Sequence, residues 1–483
     1  MTGWEPVIGI EVHVELATRS KMFCGCAVEF GAEPNTRVCP VCLGLPGALP
    51  VPNRTAIEWI MAIGLALNCA VSERSVFHRK NYFYADLPKN YQISQFDIPV
   101  CRDGYLDVSV DGETRRVGIE RAHMEEDTGK STHVGAGGRI HAASSTLLDF
   151  NRSGVPLVEI VSKPDIRSAA ESRAYAQELR SLVAELGVSD ARLEEGSIRF
   201  DANVSIRPQG AVGYGTKVEI KNMNSFRSLE RAVAHEIERQ AGVLENGGDV
   251  ILETRHWDEE AGLTHSMRNK EESSDYRYFT EPDLVPMHMD EDWVEEVRSG
   301  LPELPAARRA RYVEFGLDVG HAGVLSDAPP TIRQLFDVAV GAGAAPKPAA
   351  NWLTGEVIGW LRRTESDPVT VSLTGSQLAE LVAMVDDGTV SSTAAKEVLD
   401  GVLGGEGDPR AVATARDLIQ ISDTSALEAV VDEALAENPE AVANYEGGET
   451  KVVGFLVGQV MRATQGKADP KLVNELLTKR LKG

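Results

Sequence analysis

Basic residues are scarce in this 483-residue chain: 49 Lys and Arg face 73 Asp and Glu, giving a net charge of −24 and a pI near 4.9. That balance argues against a non-specific nucleic-acid binder, because neutralising phosphates needs clustered cations, and leaves room for a local basic patch. Cysteine is also sparse, and six residues are too few for a disulfide scaffold. No run is apolar enough to span a bilayer, and the N-terminus has no basic-then-apolar leader, so a cytoplasmic protein without membrane contact is expected. Walker A and clean G-x-G-x-x-G patterns are missing, so any nucleotide site is not a P-loop. No Ser/His/Asp or Cys/His nucleophile signature is legible.

What is present starts near the N-terminus. In "VIGIEVHVEL" (7–16) a period of two places Ile8, Ile10, Val12, Val14 and Leu16 on one strand face. Glu11, His13 and Glu15 line the other, an arrangement that repels itself and uses poor strand formers. A bound cation would turn that face favourable.

The length suggests about three domains. Up to about residue 295 short β-like runs alternate with helices. "YLDVSV-DG-ETRRVGIE" reads as a hairpin turning at Asp111-Gly112. "SIRFDANVSIR" alternates Ile198, Phe200, Ala202, Val204 and Ile206 with Arg199, Asp201, Asn203, Ser205 and Arg207, and "KVEIKN" follows with Lys217, Glu219 and Lys221 on its polar side. A helix over 168–186 opens with Ser168 and Glu171 in capping-box spacing and stops at Gly187; a second covers 225–241. Hairpins segregated from helices imply an α+β domain on a mainly antiparallel sheet. Prolines in "SGLPELPAARRARY" (299–312) and glycines in "GVLGGEGDPRAVA" (401–413) then punctuate a nearly all-helical remainder. The expected division is 1–295, 296–405 and 406–483.

Five stretches could carry chemistry or binding. Cys24, Cys26, Cys39 and Cys42, in "CGC" and "CPVC", match a structural tetrathiolate zinc site, the alternative being four reduced thiols. "GIERAHMEEDTGKS" adds Glu120, His123, Glu125, Glu126 and Asp127, which read either as a Mg²⁺ site with the first strand or as a solvated acidic rim. "FHRKNYFYADLPKNYQISQF" interleaves Arg79, Lys80 and Lys89 with aromatics, read as a phosphate clamp or as core. "GAGG" (135–138) is a weak phosphate-loop candidate. The last 33 residues hold seven Lys/Arg against two acids, read as a local basic patch in an acidic chain or as a solvated helix face.

Together "VIGIEVHVEL", "RKNYFYADLPKNYQISQFDIPV", "HMEEDTGKSTH", "LDFNRSGVPLVEIVSKPDIRS", "EEGSIRFDANVSIR", "KNMNSF", "DYRYFTEPDL", "NWLTGEV" and "VGFLVGQVMRATQGKADPKLVNELL" resemble the B subunits of glutamyl/aspartyl-tRNA amidotransferases, in register over essentially the whole chain. The resemblance implies a cradle domain related to glutamine synthetase, a helical domain and a helical tail that contacts tRNA. It implies ATP-dependent phosphorylation of the side-chain carboxylate of Glu-tRNA(Gln) or Asp-tRNA(Asn). Ammonia then attacks, supplied through a channel by a glutaminase A subunit that a small C subunit clamps in place.

Carried over on matching positions, Glu11, His13 and Glu125 are expected to hold Mg²⁺. Glu126 is either a second ligand or the proton acceptor on the ammonia path. Lys80 and Lys89 contact phosphate or line the channel mouth, and Arg79, Arg199, Asp201 and Asn203 complete an ATP and substrate pocket. Glu159, alone among apolar neighbours, is a further ligand candidate. Phe200, where many relatives have Cys, concerns packing. Lys467, Lys471, Lys479 and Arg480 are the expected tRNA contacts. Two rival readings make different forecasts. A metal-dependent hydrolase or phosphotransferase would tolerate loss of 406–483, and a non-enzymatic zinc-bearing RNA scaffold would tolerate Glu11→Gln.

Overall fold

A computed structural model describes residues 3–135, 143–269, 276–420, 424–448, 450–464 and 466–482. The chain divides into two compact units, 1–304 and 305–483. No helix among the described residues is long and apolar enough to cross a membrane.

The first unit is built on a nine-stranded sheet in the order Leu263–Asn269, Glu253–Asp258, Val218–Lys221, Ile198–Pro208, Trp4–Glu15, Pro156–Ser162, Glu113–Glu126, Cys101–Val110, Ala70–Val71. All neighbours are antiparallel except Val218–Lys221 with Glu253–Asp258. The α+β expectation holds. Asp111 and Gly112 turn the predicted hairpin, with φ of 52° and 82°, the positive values a two-residue turn of this hand requires. "GAGG" falls outside the described residues apart from Gly135.

Ile8, Ile10, Val12 and Val14 are buried on one side of the central strand, in a core that also takes up the helices Arg54–Ala66, Ala169–Glu185 and Phe226–Glu245. Tyr175, Leu179 and Leu182 bury the stripe of the second helix, and Leu229, Val233 and Ile237 that of the third. Ser168 Oγ accepts from Glu171 N at 3.1 Å, as a cap should. The reciprocal half of the box is displaced by one residue, because Glu171 accepts from Arg167 N at 2.6 Å. A small sheet of Phe279–Thr280, His78–Asn81 and Tyr91–Ser94 brings further polar side chains to the strand Glu113–Glu126.

The first unit ends later than the sequence suggests. The helix Glu291–Ser299 stays with it because Trp293, Val294 and Val297 pack on its core and Trp293 Nε1 donates to Glu58. The second unit is helical and holds two apolar clusters, one running from Tyr312 to Ala413 and one from Leu427 to Leu477. The glycine-rich stretch 401–413 lies inside the first cluster. Gly404 and Gly405 cap the helix Ser392–Leu403, and Val412 and Ala413 return to the same core. Those glycines end a helix within one apolar cluster.

Candidate active site

Antiparallel register aligns the polar faces of four central strands. His13 pairs with Arg199 on one side and with Glu159 on the other, and Glu159 pairs in turn with His123. The row Arg199, His13, Glu159, His123 therefore puts one carboxylate between two imidazoles. Glu159 Oε2 lies 3.6 Å from His13 Nε2 and 3.4 Å from His123 Nε2. Burial alone would lower the His123 pKa, yet Glu159 outweighs it and holds the imidazole up at about 9. Burial works against the Glu159 carboxylate too, but His123 keeps it well below the usual range.

Two residues along the His123 strand, Glu125 is almost wholly buried. It accepts from Lys80 Nζ at 3.3 Å, Ser94 Oγ at 2.8 Å and Gln92 Nε2 at 3.1 Å, and stands 3.6 Å from His123 Nε2. Burial disfavours its charge, but Lys80 and then His123 overcome that and leave the pKa at about 2. The Lys80 pKa is raised: burial opposes its charge, and Glu125 together with Tyr278 and Glu159 more than compensates. Gln92 and Ser94 carry no charge, so only their position in a strand containing Tyr91 hinted that they face the site.

The next two acids turn elsewhere. Glu126 pairs with Lys89 Nζ and accepts from Ile93 N at 2.8 Å. Lys89 and Glu126 border a cavity of about 270 Å³ whose walls include Lys21, Cys24, Cys42, Arg79 and Tyr91. Asp127 meets Arg199 and Arg152, each at 3.4 Å. Glu120 is exposed and bonded to Arg121, outside this cluster.

The remaining sequence candidates disperse around it. Glu11 accepts from Asn203 Nδ2 at 2.9 Å, and burial, with Glu159 next, raises its pKa. Asp201 is engaged by Lys221 Nζ at 2.7 Å. Arg79 grips Glu281 through two hydrogen bonds of 2.7 and 2.8 Å and lies 4.2 Å from the Tyr91 ring centre. Phe200 is buried against Phe226, as expected of a packing residue. Aromatics of the 77–96 stretch are not all core: Phe83 is 84% exposed.

Ligand atoms of His13, Glu125 and Glu159 all lie within 4.8 Å of one another, while Glu11 stands outside that group. Two carboxylates and one imidazole fit a hard divalent cation that keeps part of its water. A cation there would take over the role of the imidazolium protons. The four cysteine sulfurs converge within the same limit. A tetrahedral zinc with bonds of about 2.3 Å spaces its sulfurs by roughly 3.8 Å, so the quartet fits a closed, non-catalytic centre. Cys39 N donates to Cys42 Sγ at 3.1 Å, and Lys21 Nζ stands 3.6 Å away.

In the helical unit, Lys471, Lys479 and Lys482 border an open groove with Asn474 and Thr478. Lys467 pairs with Asp417, and Arg480 with Glu428 and Asp432. Two of the four predicted tRNA contacts are thus held by acids of their own unit.

The GatB/GatE catalytic domain family matches residues 6–295, and the GatB domain family matches 334–481. Among similar proteins, the B subunit of the aspartyl/glutamyl-tRNA(Asn/Gln) amidotransferase of Frankia casuarinae is 53% identical, over 99% of this chain and 96% of its own. The corresponding subunit from Thermobifida fusca is 52% identical over 100% and 95%. That from Moorella thermoacetica is 52% identical over 99% and 100%.

Proposed function

The chain belongs to the GatB/GatE family of amidotransferase B subunits, and from that premise we propose that it is the transamidating ligase subunit that converts Glu-tRNA(Gln) and/or Asp-tRNA(Asn) to Gln-tRNA(Gln) and Asn-tRNA(Asn). ATP phosphorylates the side-chain carboxylate, and ammonia displaces the phosphate. The observation that carries this reading is the buried row of His13, Glu159 and His123 with Glu125 and Lys80 on the polar sheet face. Phosphoryl transfer to a carboxylate needs pre-set charges and a dry pocket more than a protein nucleophile. The chemistry parallels that of glutamine synthetase, in keeping with a cradle-shaped catalytic domain.

His13, Glu125 and Glu159 would hold Mg²⁺, which when bound neutralises the charge of the transferring phosphate. Lys80 meets the same phosphate oxygens from the Glu125 side. Arg199, Asp201 and Asn203 rim the substrate pocket beside Glu11, while Arg79 acts on it through Glu281. Ammonium entering past Lys89 gives a proton to Glu126, which frees the lone pair that attacks the acyl phosphate. The glutaminase A subunit supplies that ammonia, and the small C subunit holds the pair together in the cytoplasm. Zinc in the cysteine quartet is structural. The helical remainder divides into one domain around the core from Tyr312 to Ala413 and a tRNA-binding tail around the core from Leu427 to Leu477, whose Lys471 and Lys479 meet the phosphate backbone, with Lys467 and Arg480 ordering the surface around them.

The test is tRNA-dependent ATP turnover by the assembled heterotrimer given Mg²⁺, ammonium and Glu-tRNA(Gln) or Asp-tRNA(Asn). ADP and amidated tRNA form only with the charged tRNA, and Glu159→Gln slows both by about 10²-fold or more, the scale of a lost charge-stabilising group. ADP formation without tRNA, or a fully active Glu159→Gln enzyme, would overturn the reading.

A further inference from the structure

The cysteine quartet and the Lys89–Glu126 pair share one cavity, and that adjacency exceeds what a remote structural zinc requires. Cys24 and Cys42 line the cavity together with Lys21, Lys89, Glu126 and the loop residue Gly44. Lys21 is 99% buried. Its ammonium stands 3.6 Å from Cys42 Sγ and 3.2 Å from the Phe150 carbonyl. A buried cation beside a thiol is costly unless that sulfur carries compensating negative charge. Lys21, Cys42 and Glu126 also converge on a single glycine. From the position of a Cβ on Gly154, Lys21 Cδ is 3.5 Å away, Cys42 Cβ 3.6 Å and Glu126 Oε2 3.8 Å.

Gly44 makes the tightest link. It follows Cys42 by two residues and has a φ of +65°. A Cβ there would stand 2.4 Å from Lys89 Cγ, 3.1 Å from its Cβ and 3.3 Å from its Cα. The obstructed atoms are the root of the lysine, not its flexible end, so a methyl group cannot be absorbed by swinging the ammonium aside. The chain carries glycine where the cysteine loop rests on the stem of Lys89.

We propose that Gly44 and Lys21 are positioning residues through which the metal-binding cysteine loop sets the placement of Lys89 on Glu126. The loop is one wall of the cavity, and Lys89 is seated on it. With the thiols gathered, the loop is held and the Lys89–Glu126 pair closes. With the thiols released, Lys21 loses its counter-charge, the wall relaxes, and Lys89 is freed. The proposal rests on the amidation reading only for its consequence, a coupling of loop metal to ammonia use.

The test reads Lys89 directly. The full chain in its heterotrimer is treated with limiting acetic anhydride, and acetylation is mapped by peptide mass spectrometry. The Lys89 side chain is 7% exposed, and Lys163, at 45%, serves as reference. Four samples are compared: untreated protein, protein stripped by a zinc chelator, Gly44→Ala, and Gly31→Ala. Gly31 lies between Cys26 and Cys39, has a φ of +76° and has nothing within 4 Å of a Cβ, so it reproduces the backbone strain without the contact. Lys89 acetylation should rise about fivefold or more in the stripped protein and in Gly44→Ala, as for a locally opened site. Lys163 should stay constant, and Gly31→Ala should match the untreated sample. An unchanged Lys89 in either of the first two overturns the proposal. So does an equal rise at every lysine, which would mean that the metal supports the unit as a whole. Labelling needs no amidation, so an inactive enzyme would not disguise either outcome.

Discussion

Removing the Arg79 guanidinium distinguishes a ligand-binding cation from one committed to the fold. Arg79 makes two charge-assisted hydrogen bonds to Glu281, whose side chain has no exposed surface, and neighbours it by register through Phe279. In Arg79→Met the buried carboxylate keeps, among the described residues, the Asp283 amide at 3.0 Å. Leaving a buried charge without its partner costs about 3–5 kcal/mol. The remaining amide and protonation of Glu281 place the expected loss near the lower figure, about 3 kcal/mol. At about 2 °C per kcal/mol for a unit of this size, the melting temperature should fall by roughly 6 °C. Arg79→Lys should recover part of the loss, because an ammonium cannot make both parallel bonds. A double change with Glu281→Leu should cost less than the two single changes added together. The assay is thermal unfolding of each variant beside ATP-dependent amidation kinetics. A melting temperature within a degree of the parent, together with a KM for ATP raised several-fold, would show that Arg79 meets phosphate and would refute this account.

Other expectations are equally direct. Cys42→Ser should lower bound zinc from one per chain to near none and reduce thermal stability; full retention of metal would remove Cys42 from the centre. Reversing charge in the tail groove with Lys471→Glu and Lys479→Glu should weaken tRNA binding and flatten its dependence on salt. Neither change should alter ATP turnover at saturating tRNA, and equal affinity at low salt would count against the groove. Burial lowers the His78 pKa, with Asp97 only partly opposing it. The unfolded chain then binds the extra proton first, so stability should drop as pH falls below about 6.5. His78→Gln should flatten denaturant-unfolding stability between pH 7 and 5, and an unchanged slope would point to other groups.

The polar face of the first strand was legible because a period of two needs no tertiary knowledge, and the same holds for His123 with Glu125. Which of these side chains meet was not legible. Glu159 lies 146 positions after His13 in the chain, and only antiparallel register sets it between His13 and His123. Arg79 read as a phosphate ligand because basic residues among aromatics look alike whether they await an anion or already hold one, and its partner Glu281 lies 202 residues away. The partners of Lys467 and Arg480 were equally hidden, since Asp417 lies in a turn 50 residues earlier and Asp432 on a helix 48 residues earlier. Glu11 shares its strand face with His13, yet one step along the strand set it beside Asn203 and outside the ligand group. The glycines of 401–413 show the same limit in the backbone: composition announces a chain reversal but not whether the cores on either side are one.

The first strand made becomes the middle of the nine-stranded sheet, and its two neighbours are Pro156–Ser162 and Ile198–Pro208. At about 5–20 residues per second on the ribosome, it waits about 7–30 seconds for the first of them and longer for the second. Through that interval it is an unpaired edge with five aliphatic side chains on one face, the kind of segment that joins strands of other nascent chains. Glu11, His13 and Glu15 work against such mispairing, because a second copy in register would set like charges side by side. The polar face of that strand thus also guards the chain during its synthesis, and neutralising it should lower soluble yield.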